Sequence, residues 1–319
     1  MDKPTDYRRT IELRPSWQTR ALNALLRLTT RRQVAHESEV VSLRRDYEEI
    51  DSRCFKLASD VRRMPVDCGG VAAEWLTVPS SRDERVILYL HGGSFAFRFP
   101  NAHAGLVSRL CRHLGARALI PDYRLAPEEP FPAAPDDCHR VYRALLAQRM
   151  DPRSMVIAGD SAGGNLALVT IHRAKAAGEP LPACAVLLSP ALDCTLTSPS
   201  MADYDGKDPM LHLRTLLVLR RCYVQSPQQY INPEVSPMFA DFHGFPPLFL
   251  QAGNNELLRD EAVRAAEKAH AADVDVELEL WPEVPHAFQI AQFLPEASLA
   301  IDHITRFVRR RTGWSDAGE

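Results

Sequence analysis

Residues 155–165 read MVIAGDSAGGN, and this stretch decides the fold. The short apolar run at 155–158 is typical of a buried strand, and a helical pattern begins near Asn165. Between them stands a G-x-S-x-G motif, which in a strand–turn–helix context places a serine hydroxyl on a tight turn. The motif predicts Ser161 as a nucleophile. The alternative interpretation is a glycine-rich connection in which this serine only caps the helix.

A second glycine motif, HGGS at residues 91–94, follows the apolar run at 86–90. Glycine lets the backbone approach a reacting carbon closely, because no Cβ stands in the way. A loop in this position can direct N–H groups at a developing oxyanion. We expect Gly92, Gly93 and Ala162, the residue after the serine, to donate these N–H groups. A plain tight turn is the alternative for the HGGS motif.

Short apolar runs alternate with helical patterns through most of the chain. The predicted strands are residues 61–66, 71–78, 86–90, 118–121, 155–158, 185–188, 248–251 and 274–280. The predicted helices are residues 16–32 and 40–57 before the first strand, and then 102–114, 135–148 and 165–177. This alternation predicts an α/β protein with a mainly parallel sheet and helices on both faces.

The motifs taken together resemble those of a known family. The matching segments are HGG at 91–93, DYRLAPE at 122–128, FPAA at 131–134, GDSAGGN at 159–165, DPML at 208–211, SP at 236–237 and PH at 285–286. In these segments the chain resembles the hormone-sensitive-lipase-like esterases, the bacterial family IV with HGGG and GDSAGG motifs. The resemblance implies the α/β-hydrolase fold, with a mainly parallel eight-stranded sheet flanked by helices and a helical cap.

The resemblance also implies a division of the chain. Residues 1–57 are expected to form N-terminal cap helices and residues 58–319 the catalytic domain, with 193–226 contributing a second cap segment. Long insertions between strands often cover active sites. The chain departs from the family in two places. Ser94 stands at the common third glycine, and Arg98 stands where a glycine is frequent, so we expect a charged side chain at the entrance.

In this fold the acid that orients the base lies between the serine and the histidine in sequence, after a late strand. Two carboxylates, Glu256 and Asp260, follow the predicted strand at 248–251. The family usually has an aspartate at the position of Glu256. We assign Glu256 as the acid, because Asp260 suits the start of the next helix. His286 follows the last predicted strand and is the predicted base; His91 is interpreted as a brace for its loop.

Composition narrows the classes of function. The chain has 319 residues, 45% hydrophobic and 25% charged, and its net charge of −3 offers no basic face for nucleic acid. No metal or nucleotide motif occurs, so no metal and no cofactor are expected. Seven scattered cysteines fit a reducing compartment, and the apolar stretch at 21–28 is too short to span a membrane. We expect a cytoplasmic protein with no membrane partner.

The candidate residues predict a carboxylesterase that acts on a small-molecule ester through a Ser161-His286-Glu256 triad and an acyl-enzyme intermediate. The resemblance implies short acyl chains. A lactonase, an amidase or a deacetylase could use the same triad. The rival from another class is a non-catalytic small-molecule receptor, since plant hormone receptors that resemble this family keep the fold without the catalytic histidine. The presence of His286 counts against that rival.

The predicted strand at 274–280 alternates valine and leucine with Asp275, Glu277 and Glu279. One of its faces is therefore expected to be buried and the other solvated. As the last strand before the terminal helix it is expected at the edge of the sheet, where unpaired backbone groups invite another strand. The resembled family often dimerises through this edge. A homodimer through strand 274–280 is predicted, although its acidic side chains oppose close pairing.

Overall fold

The computed structural model describes residues 7–30 and 34–315. Its strands are β1 Arg8–Thr10, β2 Arg62–Asp67, β3 Ala72–Thr77, β4 Arg82–Leu90, β5 Ala116–Pro121, β6 Met155–Asp160, β7 Cys184–Leu188, β8 Leu248–Gly253 and β9 Val276–Trp281. Its α-helices are α1 Trp17–Thr29, α2 Val40–Cys54, α3 Pro100–Leu114, α4 Ala133–Ala147, α5 Ala162–Ala176, α6 Pro199–Asp203, α7 Leu213–Tyr223, α8 Arg259–Ala271 and α9 Pro295–Thr312. The predicted alternation of strands and helices is confirmed.

The strands form one sheet in the order β1-β9-β8-β7-β6-β4-β5-β3-β2. Pairing is parallel from β1 through to β5 in this order. Strand β3 pairs antiparallel with both β5 and β2. Gly69 and Gly70, both with positive φ, make the turn between β2 and β3. Parallel neighbours need crossover connections, and helices supply them.

Helices cover both faces of the sheet, and the apolar core therefore has two parts. In β4, Val86, Leu88 and Leu90 pack in the part that contains residues of α4, α5 and α8. Ile87 and Tyr89 pack in the other part, with residues of α3 and α9. Successive side chains of a strand point to opposite faces. Burial on both faces explains the continuous apolar runs from which these strands were predicted.

Strand β1 corrects two expectations about the end of the sheet. The described residues form nine strands instead of eight, because β1 pairs in parallel with β9 and aligns Arg8 with Leu278. The prediction that strand 274–280 lies at the edge was wrong, since β9 lies between β1 and β8. Strand β1 has only three residues, two of them arginines, and all three are exposed. Its sequence therefore carries no pattern from which a strand could be predicted.

Glu279 was expected on a solvated face of this strand and is instead buried. Its carboxylate accepts hydrogen bonds from His303 Nδ1 (2.7 Å), Gln251 Nε2 (2.9 Å) and the guanidinium of Arg9. Burial raises the pKa of Glu279, but these partners lower it by more, so the net shift is downward. A buried carboxylate is tolerated when it is paired and hydrogen-bonded. The network attaches β1 to the sheet.

The two predicted N-terminal helices are present, with earlier ends at Thr29 and Cys54. Residues 31–32, the end of the first prediction, lie outside the described residues. In the second helix Val40 and Leu43 are buried, and Ile50 is exposed.

Two charged side chains dock α2 on the rest of the fold. Arg44 donates from Nε to the Ala96 carbonyl (2.7 Å) and pairs with Glu128 (2.8 Å). Asp51 is buried, and its carboxylate accepts two N–H groups from the first turn of α3 at 2.8 and 2.9 Å. The two residues are seven positions apart and share one helix face. Helix α2 is therefore fastened both to the loop after the HGGS motif and to α3.

The second expected cap segment, residues 193–226, contains α6 and α7 and lies between β7 and β8 in the chain. Tyr223, the last residue of α7, stacks on Phe95 with ring centroids 3.7 Å apart. This contact joins the segment to the loop that carries the HGGS motif. The division of the chain into a cap and a catalytic domain stays a prediction. No helix of the described residues is long and apolar enough to cross a membrane.

We predict that Asp51→Ala lowers the free energy of unfolding by about 1–3 kcal/mol, because two N–H groups of α3 lose their acceptor in a buried place. Urea denaturation measures the change. Asp46 is an exposed acid on the same helix. Asp46→Ala should change the stability by less than about 0.5 kcal/mol. Equal losses in the two variants would show that capping of α3 is not the cause.

Candidate active site

Ser161 stands on the turn between β6 and α5. Its φ of 53° and ψ of −119° are values that residues with a side chain rarely adopt. The turn fits because its glycines lack a Cβ, since one at Gly163 would collide with the Leu90 carbonyl and one at Gly159 with Gly163. The Ser161 N–H donates to the Leu188 carbonyl (2.8 Å). Close approach of strand and helix thus holds the serine at the carboxyl edge of the sheet.

The HGGS loop follows β4, the neighbour of β6. Gly93 has a φ of 122°, and a Cβ there would collide with the Phe97 carbonyl, so only glycine fits. Gly92 donates its N–H to Asp160 Oδ1 (3.0 Å) and is therefore already engaged. Within the described ranges no protein acceptor takes the N–H of Gly93 or of Ala162, which opens α5. Two of the three expected oxyanion donors are available.

Asp160 connects the serine turn to the HGGS loop. Besides the Gly92 N–H, its carboxylate accepts a hydrogen bond from Tyr89 Oη (2.8 Å) and lies 3.3 Å from His103 Nε2. Burial raises the pKa of Asp160, but these three partners lower it to about 2, so the group is ionised at neutral pH. Sequence reasoning gave neither Asp160 nor His103 a role in the site. No local pattern marks a contact between positions this far apart.

His91 braces the loop, as the sequence indicated. Its Nδ1 lies 2.8 Å from the Gly92 carbonyl, and its ring stacks on Tyr123 with centroids 4.2 Å apart. A carbonyl can only accept, so Nδ1 carries the proton. Burial, followed by the nearby His103, lowers the pKa of His91 to about 3. The ring is therefore neutral and supports the loop without adding charge.

His286, on the loop after β9, and Glu256, on the loop after β8, form a buried pair. His286 Nδ1 lies 2.8 Å from Glu256 Oε2, and Glu256 Oε1 accepts the Gly253 N–H (2.9 Å). An Nδ1–H directed at the carboxylate leaves Nε2 as the basic nitrogen. Burial lowers the pKa of His286, but the hydrogen bond and charge of Glu256 raise it by more, so the net shift is upward.

Asp260, the other candidate acid, lies in the first turn of α8, as expected. Its carboxylate accepts the Ser200 N–H at 3.0 Å. The structure therefore places Glu256, and not Asp260, beside His286.

Ser161 and His286 lie at the same edge of the sheet, since each follows a parallel strand. Two neighbouring residues connect their loops. The Leu188 carbonyl accepts the Ser161 N–H, and the Oγ of the next residue, Ser189, accepts the Ala287 N–H (3.2 Å). Among the hydrogen bonds of residues 7–30 and 34–315, none joins the Ser161 hydroxyl to His286. Catalytic hydrogen bonds are often longer before substrate binds.

Asp208 is a site residue to which sequence reasoning gave no role. Its Oδ2 accepts the N–H of Leu257, the residue after Glu256, at 2.9 Å. Its Oδ1 accepts two N–H groups from the following turn at 2.8 and 2.9 Å. Burial raises the pKa of Asp208, and its negative charge helps to raise the pKa of His286. The DPML motif was the available signal, but it does not say which loop the carboxylate contacts.

Arg98, which was expected at the entrance, forms ion pairs with Asp122 and, at 3.8 Å, with Glu48. Its charge is therefore compensated by the protein. In the described part of the chain, no group of three or more His, Cys, Asp or Glu side chains is arranged to hold a metal ion.

A serine on a glycine-flanked strand–helix turn, with a histidine–carboxylate pair at the same sheet edge, defines the class of α/β hydrolases. Residues 87–290 match a family model described as alpha/beta hydrolase fold. A crystal structure of an esterase from the bacterial hormone-sensitive lipase family matches with a TM-score of 0.87 and 36% identity. The match covers 94% of this chain and 100% of that one.

Two curated relatives agree. An esterase of Acinetobacter venetianus is 36% identical over 256 residues, which is 80% of this chain and 84% of that protein. An acetyl-hydrolase of Streptomyces hygroscopicus is 38% identical over 249 residues, which is 78% and 83% of the two chains. The chain belongs to the bacterial hormone-sensitive lipase family of esterases, and the resemblance noted from its motifs is confirmed.

We predict that the kcat/KM of ester hydrolysis falls as the pH drops through the raised pKa of His286, because only the neutral imidazole can accept a proton. Asp208→Asn removes a negative charge that raises this pKa, so the acid limb should move to lower pH. The same variant should lower kcat about tenfold or more, because Leu257 loses its acceptor and Glu256 is displaced.

A pH profile with p-nitrophenyl acetate measures both effects. Asp203 is an exposed acid of α6, and Asp203→Asn should keep the profile of the unmodified protein. An Asp208→Asn variant with reduced kcat and an unmoved acid limb would mean that Asp208 has no electrostatic effect on His286.

Proposed function

We propose that the protein hydrolyses small carboxylic esters through an acyl-enzyme intermediate, with Ser161 as nucleophile, His286 as base and Glu256 as the acid that orients it. The observation that carries the proposal is the 2.8 Å contact between His286 Nδ1 and Glu256 Oε2, at the sheet edge where the turn presents Ser161. The pair supports the proposal because acyl transfer needs a nucleophile, a base and an acid that orients the base at one site.

The reaction follows from these positions. Ser161 Oγ attacks the ester carbonyl carbon while its proton passes to His286 Nε2, and Glu256 stabilises the imidazolium. The N–H groups of Gly93 and Ala162 stabilise the oxyanion; the Gly92 N–H serves the loop instead, through Asp160. His286 then protonates the leaving alcohol. Water, deprotonated by His286, cleaves the acyl-enzyme and regenerates the serine.

Short acyl chains are the substrate class we favour. The helices α1 and α2 and the segment 193–226 act in this proposal as a cap, and the stacked pair Phe95 and Tyr223 joins that segment to the HGGS loop. The name of the Streptomyces hygroscopicus relative, an acetyl-hydrolase, supports a small acyl group. The same triad could also hydrolyse lactones and amides. These substrates differ from simple esters in their leaving groups, so a substrate panel distinguishes them. The receptor alternative is disfavoured because serine, histidine and acid are all retained.

We also propose a reducing, cytoplasmic location, which the seven unpaired cysteines support. We also propose a homodimer, formed at the edge of the sheet at which β1 is the outer strand. Pairing through 274–280 itself would require β1 to leave β9.

We predict that Ser161→Ala folds normally and loses turnover by about 10⁴-fold or more, since triad members act as a unit. The assay is a panel of p-nitrophenyl esters of increasing acyl length, with lactones and anilides beside them. Acetyl and butyryl esters should be the best substrates. An organophosphate adduct found by mass spectrometry on any serine other than Ser161 would overturn the assignment.

The matched pair Glu256→Gln and Asp260→Asn tests the acid. Glu256→Gln should lower kcat by about 10³- to 10⁴-fold with little change in KM, because a neutral amide cannot stabilise the imidazolium. Asp260→Asn should keep kcat within about tenfold, since the Asp260 carboxylate contacts Ser200 of α6 and not His286. The reverse ranking in steady-state kinetics would exclude Glu256.

A further inference from the structure

Helix α1 has an unusual distribution of exposed side chains. The polar Thr19 and Asn23 are buried, while Trp17 is 74% exposed, Leu25 56% and Leu28 61%. One exposed apolar side chain is common on any protein surface. Several on one short helix form a continuous apolar surface, which suggests a surface for interaction.

The exposed residues lie on one face of the helix. Positions 17, 21, 25 and 28 follow the spacing of three and four residues that places side chains on the same side. Ala21 and Ala24 lie on this side as well and are exposed. We call the set the α1 stripe; it consists of Trp17, Ala21, Ala24, Leu25 and Leu28. The side chains of the α1 stripe are apolar apart from the indole N–H of Trp17.

The charged residues in the sequence from 13 to 36 have one sign. Residues 13–36 contain five arginines and no aspartate or glutamate, in a chain whose net charge is −3. At 100° per residue, Arg20 and Arg27 project between the α1 stripe and the buried face of the helix. In the described ranges neither has an ion-pair partner. Tryptophan and leucine on one face with arginine beside them are typical of helices that lie on a membrane surface.

Helix α1 is held firmly and lies close to the active site. Asn23 Nδ2 donates to the Glu283 carbonyl (2.6 Å), and Ser16 Oγ donates to Glu296 (3.0 Å). Glu283 lies on the loop between β9 and His286. The α1 stripe, on the opposite face of the helix, therefore lies on the outside of the loop that carries the predicted base.

We propose that the α1 stripe docks on the surface of an anionic phospholipid bilayer, with its apolar side chains in the headgroup region and Arg20 and Arg27 at the phosphates. This inference goes beyond ester hydrolysis and needs no spanning segment. It revises the expectation of no membrane partner, which considered only the length needed to cross a bilayer. Docking in this orientation brings the sheet edge with His286 next to esters that partition into lipid.

The test uses the full chain and vesicles of phosphatidylcholine, with or without phosphatidylglycerol. Cosedimentation measures binding, and tryptophan emission gives a second readout, since Trp17 is exposed while Trp281 and Trp314 are buried. We expect binding to the vesicles with phosphatidylglycerol, weaker binding at high salt, and a blue shift of the emission.

Two double variants separate the apolar and the charged contributions. Leu25→Ser with Leu28→Ser, and Arg20→Gln with Arg27→Gln, should each weaken binding at least about tenfold. The matched control is Met64→Ser with Arg62→Gln, exposed residues on β2 at the opposite edge of the sheet, which should bind as the unmodified protein does. All three should hydrolyse p-nitrophenyl acetate normally, and Ser161→Ala should bind vesicles normally, so that docking and catalysis are judged apart.

Three results would overturn the proposal: no binding to either vesicle, binding that does not depend on phosphatidylglycerol, or equal binding by the Leu25→Ser/Leu28→Ser variant. A further result would assign the α1 stripe to a second copy of the chain and would also overturn it. That result is a mass in light scattering that rises with concentration in the unmodified protein and not in the Leu25→Ser/Leu28→Ser variant.

Discussion

The ionised carboxylate of Asp160 lies between the two loops that build the site, and the rest of the geometry depends on it. It directly precedes Ser161 and accepts the Gly92 N–H, so the proposed nucleophile and the HGGS loop are held by the same residue. Tyr89 and His103 complete its contacts in a buried place. Removing one partner of such a buried charged cluster leaves the others uncompensated, which is costly. The proposed oxyanion donors are therefore positioned before substrate arrives, which is what electrostatic catalysis requires.

The parts that the sequence predicted are those that local patterns encode. Short apolar runs marked the central strands because both faces of the sheet are covered, and the G-x-S-x-G spacing marked Ser161 because the turn excludes side chains. The choice of Glu256 over Asp260 rested on family resemblance, and the structure places Glu256 beside His286. The parts that were missed are polar contacts between distant segments. No local pattern in the sequence indicates that Asp208 reaches the loop after Glu256.

Charged side chains do much of the fastening in this fold. Arg44 and Asp51 attach α2, and buried Glu279 attaches β1. Charges on the face of a predicted helix or strand are ordinarily interpreted as solvated, which is why Glu279 was misplaced and Asp51 was overlooked. Each of them satisfies backbone or side-chain groups that would otherwise be buried without a partner. The loop that carries the HGGS motif, in particular, is held by Arg44 of α2, a helix that contributes no residue to the proposed triad.

The pairing of β1 with β9 has a consequence for the order in which the molecule is assembled. Arg9 and Glu279 are 270 positions apart, and Ser16 and Glu296 are 280 apart. A chain emerges from the ribosome starting at its N-terminus, and a segment cannot pair with a partner that has not been synthesised. Strand β1 and helix α1 thus reach these contacts only after most of the sheet has been synthesised. Until β9 has emerged, β1 remains without its partner strand and the buried polar face of α1 without its acceptors.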